Sequence, residues 1–188
     1  MKQFALAPLA LAVLSTLAAA TACAETTALG EVTVTATREG QLVNETPATI
    51  GVIKEKALRE AKPTHPSEIM GQVAGVWVNV TGGEGHQTAI RQPLTTNPVY
   101  LYLEDGVPTR STGFFNHNAL YEVNLPMAGG IEISKGPGSA LYGSDAIGGV
   151  VNFFTRKDLD GLEVDGEYAL IDGSGGDYNA NAAWGKKF

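Results

Sequence analysis

Residues 131–155 read IEISKGPGSALYGSDAIGGVVNFFT. Ile131 and Ile133 alternate with Glu132 and Ser134, the period of a half-buried strand, and Val150–Phe154 is a β-branched and aromatic run of strand length. Between the runs stand Gly136, Gly138, Gly143, Gly148 and Gly149. Glycine loses more conformational freedom on ordering than any other residue. Glycines this closely spaced therefore indicate backbone at positive φ or close approach of another chain segment. The stretch predicts strand, tight turns, strand, with Gly136, Pro137, Gly143, Gly148 and Gly149 forming the turns.

Gly136-x-Gly138 after a strand, and Gly138-x-x-x-x-Gly143-Ser144, both brush against nucleotide-binding patterns. A P-loop needs lysine after its last fixed glycine to reach the phosphates; Ser144 and then Asp145 follow here, and the carboxylate would repel them. The dinucleotide fingerprint needs a third glycine where Leu141 stands, then a long helix that Gly143, Gly148 and Gly149 oppose. A nucleotide-dependent enzyme is thereby disfavoured.

The ordered set Glu132, Lys135-Gly136-Pro137, Leu141-Tyr142-Gly143, Gly148-Gly149 and an apolar strand closing on Thr155 resembles the end of the plug domain of TonB-dependent outer-membrane receptors. Lys135 departs from the arginine more usual there, keeping the charge without the bidentate fork. The resemblance implies an α+β plug with a small mixed β-sheet and short flanking helices, followed by the first hairpin of a transmembrane β-barrel.

The first twenty-four residues read as a signal peptide, with Lys2 as the positive region, Phe4–Leu17 as the apolar core and Ala22-Cys23-Ala24 as the cleavage site. That core is too short for a membrane-spanning helix. A lipoprotein would want leucine three positions before Cys23, where Ala20 stands. Cleavage removes the single cysteine, so disulfides, thiolate ligands and a thiol nucleophile are excluded from the mature chain. Losing Lys2 takes the formal charge from −7 to −8, and that acidity opposes nucleic-acid binding.

Glu31, Val32, Thr33, Val34, Thr35, Ala36 and Thr37 form a strictly alternating β-branched segment within a polar leader. As an exposed strand without a sequence neighbour to pair with, it suits addition to the edge of another protein's sheet; it could equally be the domain's first strand. Beside the resemblance it looks like a TonB box, the segment by which the family couples to TonB. Only Glu25–Gly30 separate it from the signal peptide, so an additional N-terminal signalling domain is not expected. The implied organisation is signal peptide 1–24, leader and linker 25–47 with the box at 31–37, plug 48–156 and the start of a barrel at 157–188.

Within the plug, Ala48–Ile53 reads as a strand, Lys54–Ala61 as a helix stopped by Pro63, and His65–Val73 as a second helix capped by Thr64 and ended by Gly75. Val76, Val78 and Val80 alternate with Trp77 and Asn79. Ala89-Ile90-Arg91 matches the family strand that usually ends on Arg-Gly, although Gln92-Pro93 replaces the glycine. Val99, Leu101 and Leu103 alternate with Tyr100 and Tyr102, and Asp105-Gly106 is a hairpin turn into Val107-Pro108. Glu104 and Asp105 point to opposite faces as strand neighbours, so turn formation explains Asp105 better than acid–base chemistry.

The loop from Thr109 to Leu125 gathers Arg110, Phe114, Phe115, His117 and Tyr121, a set suited to stacking on and hydrogen-bonding a ligand; Phe114 and Phe115 could also anchor the loop. His65, His86 and His117 lack ligand-type spacing, and no protein metal site is expected. Gly161–Leu170 and Tyr178–Phe188 alternate around a turn at Asp172–Asp177 and resemble a barrel's first hairpin. A family barrel has about twenty-two strands of roughly ten residues, so a fragment is the expected status of the chain.

By resemblance, then, the chain belongs in the Gram-negative outer membrane, its plug inside a barrel and its box in the periplasm. Its implied partners are TonB with the inner-membrane energising complex, its own β-barrel, an external ligand and outer-membrane lipid. No enzymatic activity and no covalently bound cofactor are implied; the transported ligand would be an iron–siderophore complex. Arg91, Glu132 and Lys135 would dock the plug on the barrel wall, each needing a charged partner if buried there. Arg91 could instead touch ligand, since it opens the loop 92–98. A free-standing periplasmic binding module with a plug fold is the alternative.

Overall fold

The computed structural model describes residues 31–82, 85–171 and 175–187. The expected signal peptide, residues 25–30 and the hairpin turn at 172–174 lie outside the described residues.

The centre is a five-stranded mixed sheet. Its strands are β3 (Ile50–Lys54), β6 (Tyr100–Glu104), β7 (Val107–Pro108), β8 (Ala128–Lys135) and β9 (Gly149–Thr155), in the order β3-β8-β9-β6-β7. Only β6 and β9 run parallel; the other pairs are antiparallel. The stretch that decides the fold thus supplies the two middle strands, with Glu132 opposite Asn152 and Ile133 opposite Val151.

Register sorts the side chains. Ile131, Ile133, Val151, Phe153, Tyr100 and Tyr102 line the main core, each buried apolar side chain contributing roughly 1.5–3 kcal/mol. The opposite face carries Leu101, Leu103, Val150 and Ala146, with Tyr142 packed against them. Both tyrosines of β6 satisfy their hydroxyls inside the core: Tyr100 accepts from the Ile90 amide at 3.1 Å, and Tyr102 shares a 2.7 Å hydrogen bond with Thr88. The expected half-burial of β8 is corrected here, because Glu132 and Ser134 are buried as well as Ile131 and Ile133. The leader and the Gly138–Ala146 turn cover the second face.

Helix α1 (Glu55–Ala61) ends where Lys62 turns left-handed at φ 43° and its amide reaches the Leu58 carbonyl at 2.9 Å. Helix α2 (Pro66–Met70) is shorter than expected, and His65, not Thr64, is its N-cap, accepting from the Ser67 amide at 3.2 Å. Thr64 instead donates to Glu68. The helix stops at Met70 because Val73 must drop onto β3: its Cγ1 occupies the space 2.4 Å from where a Cβ on Gly51 would lie. Strands β4 (Val76–Gly82) and β5 (Gly85–Ile90) form a separate hairpin, from which Val76, Val78 and Ile90 enter the core.

Two glycines show why the turn needed them. A Cβ on Gly149 would meet the Ser134 carbonyl of β8 at 2.6 Å, with φ at +157° besides, and one on Gly148 would meet the Tyr100 ring at 2.6 Å. Gly143, at φ 87°, closes the one-turn helix α3 (Ser139–Tyr142), which follows Gly136 and Pro137. The turn before β7 is as expected, with Asp105 at φ 47° and Gly106 at φ 82°. The Asp105 carboxylate also accepts from the Thr155 hydroxyl and, at 3.1 Å, from the Thr155 amide, tying this turn to the end of β9.

Strands β10 (Gly161–Ile171) and β11 (Gly175–Gly185) pair antiparallel over their whole length, so the second strand begins before the expected Tyr178. Leu162, Val164, Tyr168, Leu170, Tyr178 and Trp184 are all exposed. The other face turns Glu163 and Asp165 toward the plug. Glu163 takes a bidentate pair of hydrogen bonds from Arg156 at 2.8 and 3.0 Å, and Asp165 pairs with Lys62 at 3.3 Å. A cleft of about 560 Å³ lies between hairpin and plug, bordered by Arg59, Lys62, Arg156, Glu163, Asp165 and Glu167. Two strands leave the barrel open, as their number requires.

Candidate functional site

The leader departs most from its expected form. It is a strand only at β1 (Val32–Thr33), which pairs with β2 (Gln41–Leu42), Val32 opposite Leu42 and Thr33 opposite Gln41. The chain then turns, with the Arg38 amide donating to the Val34 carbonyl at 2.8 Å and Arg38 at φ 61°. The segment 31–37 is therefore neither extended throughout nor without a partner.

Its alternation survives in a different use. Val32 and Val34 are 52% and 39% exposed, while Thr33 and Thr35 are 0% and 1% exposed. The buried side meets one carboxylate. Glu132 accepts from the Thr33 hydroxyl at 2.8 Å, the Val34 amide at 3.0 Å and the Thr35 amide at 2.8 Å. A buried carboxylate is tolerable only when hydrogen bonds replace its water, and charge-assisted bonds of this kind are the stronger class. Two further groups complete the clasp: the Asn152 amide donates to Thr35 Oγ1 at 3.2 Å, and the Tyr142 hydroxyl donates to the Thr35 carbonyl at 2.9 Å. Burial pushes the Tyr142 hydroxyl above the usual tyrosine range, with the nearby Arg38 opposing, so it remains a donor at neutral pH. The Arg38 guanidinium lies 4.5 Å from the centre of the Tyr142 ring. Glu31 is placed by an ion pair to Lys54 at 3.0 Å, and Ala36 is half-buried.

Glu132, grouped in sequence with Arg91 and Lys135 as a barrel contact, is thus taken up by the leader. The other two do come together. The Lys135 ammonium donates to the Ala74 carbonyl at 3.0 Å, and Arg91 Nη1 reaches the Lys135 carbonyl at 3.5 Å. Desolvation, then the charge of Arg91, lowers the Lys135 pKa. With Gln92-Pro93 in place of the family glycine, Arg91 itself makes the turn, at φ 57°, its amide bound to the Gly75 carbonyl at 3.0 Å.

In the loop 109–125 the residues divide. Arg110 holds the loop together from within, donating through Nε to Glu122 at 3.0 Å, Nη1 to the Phe115 carbonyl at 3.1 Å and Nη2 to Asn118 at 2.7 Å. Phe114 and Phe115 stack at 5.3 Å between ring centres and stand 52% and 53% exposed, with Tyr121 61% exposed. The two phenylalanines form a presented ledge, not an anchor. His117 is exposed, and its carbonyl accepts from the His86 amide at 2.6 Å; the His65 and His86 rings lie 5.9 Å apart. The fold brings together three histidines that sequence spacing kept apart. Among the described residues, no group of three or more His, Cys, Asp or Glu is arranged to hold a metal ion.

Sequence reasoning did not single out Asn152, Tyr142 and Asp145 as site residues. Each had a signal: an amide in an apolar strand, a tyrosine amid small residues, and an acid beside a glycine turn. Asp145 is buried and accepts from the Gly113 amide at 2.7 Å and from the Ser144 hydroxyl at 3.0 Å.

Comparison with known proteins gives the arrangement its family. The family model described as the TonB-dependent receptor plug domain matches residues 43–150. The vitamin B12 transporter BtuB of Vibrio vulnificus (strain CMCP6) is 35% identical over 130 residues, covering 67% of this chain and 20% of that protein. The siderophore receptor PirA of Acinetobacter baumannii superposes with a TM-score of 0.51 at 27% identity, over 70% of this chain and 21% of that one. FpvA of P. aeruginosa, bound to a heterologous pyoverdine, gives 0.59 at 22% identity over 73% of this chain and 18% of that one, a likeness of fold alone. The chain spans about a fifth of the length of the curated relative that it matches. With the match to residues 43–150 covering more than half of its length, the chain belongs to the TonB-dependent receptor plug domain family.

Proposed function

We propose that this chain occludes the barrel of an outer-membrane receptor and couples uptake of a metal chelate to TonB through residues 31–36. One observation carries the reading. The segment ahead of the plug is held by side chains of the central sheet and by the two-residue β1–β2 pairing, not by a long ladder, so it can leave without dismantling a strand of the central sheet. Once released, Val32–Ala36 is an alternating segment free to add to a sheet edge of TonB. The energy for transport then comes from the inner-membrane proton gradient. The family is one of receptors and transporters, and no bond in the cargo is made or broken.

The Phe114–Phe115 ledge, together with the exposed Tyr121 and His117 of the same loop, is the proposed ligand contact. Arg110 supports the ledge; the exposed Arg91 and the half-buried Lys135, neighbouring cations, are the proposed contacts for carboxylates of the barrel wall. The cargo is read as a ferric siderophore. A cobalamin is the second reading, favoured by the 35% identical relative named for vitamin B12 transport.

Val34→Pro tests the coupling. Proline removes the Val34 amide that Glu132 accepts and disfavours strand addition. In the intact protein, cargo binding should persist while uptake stops; undiminished uptake would contradict the role of this segment. Uptake of ferric siderophores and of cobalamin by a receptor-deficient strain, with and without the complete gene restored, would separate the two cargo readings.

A further inference from the structure

The leader and the aromatic ledge are both tied to one short piece of chain. The Gly138 amide donates to the Ala146 carbonyl at 2.8 Å, closing residues 138–146 on themselves, and the Tyr142 amide reaches back to the Gly138 carbonyl at 3.0 Å. Ala146 is fully buried against Leu101, Leu103 and Val150, and Tyr142 packs on the same cluster, so the closed turn sits on the sheet as a unit. From one side of this unit Tyr142 holds the Thr35 carbonyl at 2.9 Å. From the other, Asp145 holds the Gly113 amide at 2.7 Å, immediately before Phe114 and Phe115.

We infer that the closed turn 138–146 links the ledge to the leader, with Asp145 and Tyr142 as its two positioning residues. The inference rests on the proposed roles of the ledge and the leader. Gly113, at φ 80°, follows any displacement of the stacked phenylalanines. A pull on Gly113 loads Asp145, which is buried and, among the described residues, otherwise accepts from the adjacent Ser144 hydroxyl. Because residues 138–146 are cross-bonded and pack as one body, the load passes to Tyr142 and the Thr35 contact instead of dissipating in a loose loop. Packed units of this kind shift between discrete arrangements more readily than they deform. Coupling of this sort is reciprocal: freeing the leader must also loosen Gly113.

The test is amide hydrogen exchange on the intact protein purified from outer membranes in detergent, without ligand. Asp145→Ala should speed exchange at Gly113 and, across the turn, at Val34 and Thr35 by about tenfold, the effect of losing one hydrogen bond to a charged group. Asp145→Asn, which keeps one acceptor oxygen, should stay close to the parent. Tyr142→Phe should speed exchange at the leader by about fivefold, the neutral-bond equivalent, and raise it at Gly113 too. The strands around Ile133 and Val151 should be unchanged in all three, which excludes general unfolding. If Asp145→Ala affects Gly113 while the leader exchanges as in the parent, the link is wrong. Capture by the purified periplasmic domain of TonB separates this from the functional reading. A looser leader with no added capture keeps the link and removes the TonB role, whereas a parent that is captured but whose leader ignores Asp145→Ala does the reverse.

Discussion

Glu132 shows how one residue can organise a segment far from it in sequence. A lone carboxylate buried in a sheet would be costly, and here the Thr33 hydroxyl and two successive amides of the leader replace its water. Glu132→Gln keeps the shape but halves the acceptor capacity, since the amide NH₂ cannot accept. We expect the Val34 and Thr35 amides to exchange roughly tenfold faster in that variant, with global stability to urea within about 1 kcal/mol of the parent, because the desolvation cost falls as the bonds are lost. Tyr102 gives a pH test at the same scale. Burial raises its hydroxyl well above the ordinary value of 10.0, so above that pH the unfolded chain sheds a proton that the folded chain keeps. The unfolded state then binds fewer protons and stability falls as pH rises. Urea denaturation at pH 9 and pH 11 should show a larger loss for the parent than for Tyr102→Phe.

At the scale of elements, what the sequence revealed depended on how local the determinant was. The Asp105-Gly106 turn, the alternation of β6 and the strand–turn–strand of residues 131–155 rest on neighbours a few positions apart, and all were legible. Helix α2 was read too long because its end is set by Val73 meeting Gly51, a contact between elements. The leader was read as a free strand because the group that folds it, Glu132, lies 98 residues beyond Val34; no periodicity carries that information. Within the ledge, the aromatics were recognisable by type, but the inward turn of Arg110 depends on Glu122 and Asn118 adopting one loop conformation. Gly149→Ala tests the tightest of these junctions. Its Cβ would be driven into the β8 backbone at 2.6 Å from the Ser134 carbonyl, and a loss of roughly 2 kcal/mol in urea denaturation is expected.

Across the whole molecule, two sets of contacts hold the hairpin and the leader to the plug. The β10–β11 hairpin is joined to the plug by Arg156, whose side chain is only 7% exposed and which also faces Glu55 at 3.3 Å and Asp158 at 3.6 Å. The more exposed Lys62–Asp165 pair adds little by comparison. Arg156→Ala should raise amide exchange over Gly161–Val164 severalfold and leave the leader as it was, with the difference shrinking in high salt. The leader, by contrast, is bound by a few hydrogen bonds on the second face of the sheet. That arrangement holds the leader through contacts separate from the core that holds the plug together. The most direct measurement is therefore hydrogen exchange at the Val34 and Thr35 amides of the intact, ligand-free protein. The clasp predicts protection of both amides, lost on Glu132→Ala while β8 and β9 stay protected. Exchange at the rate of an unstructured peptide in the parent would contradict it.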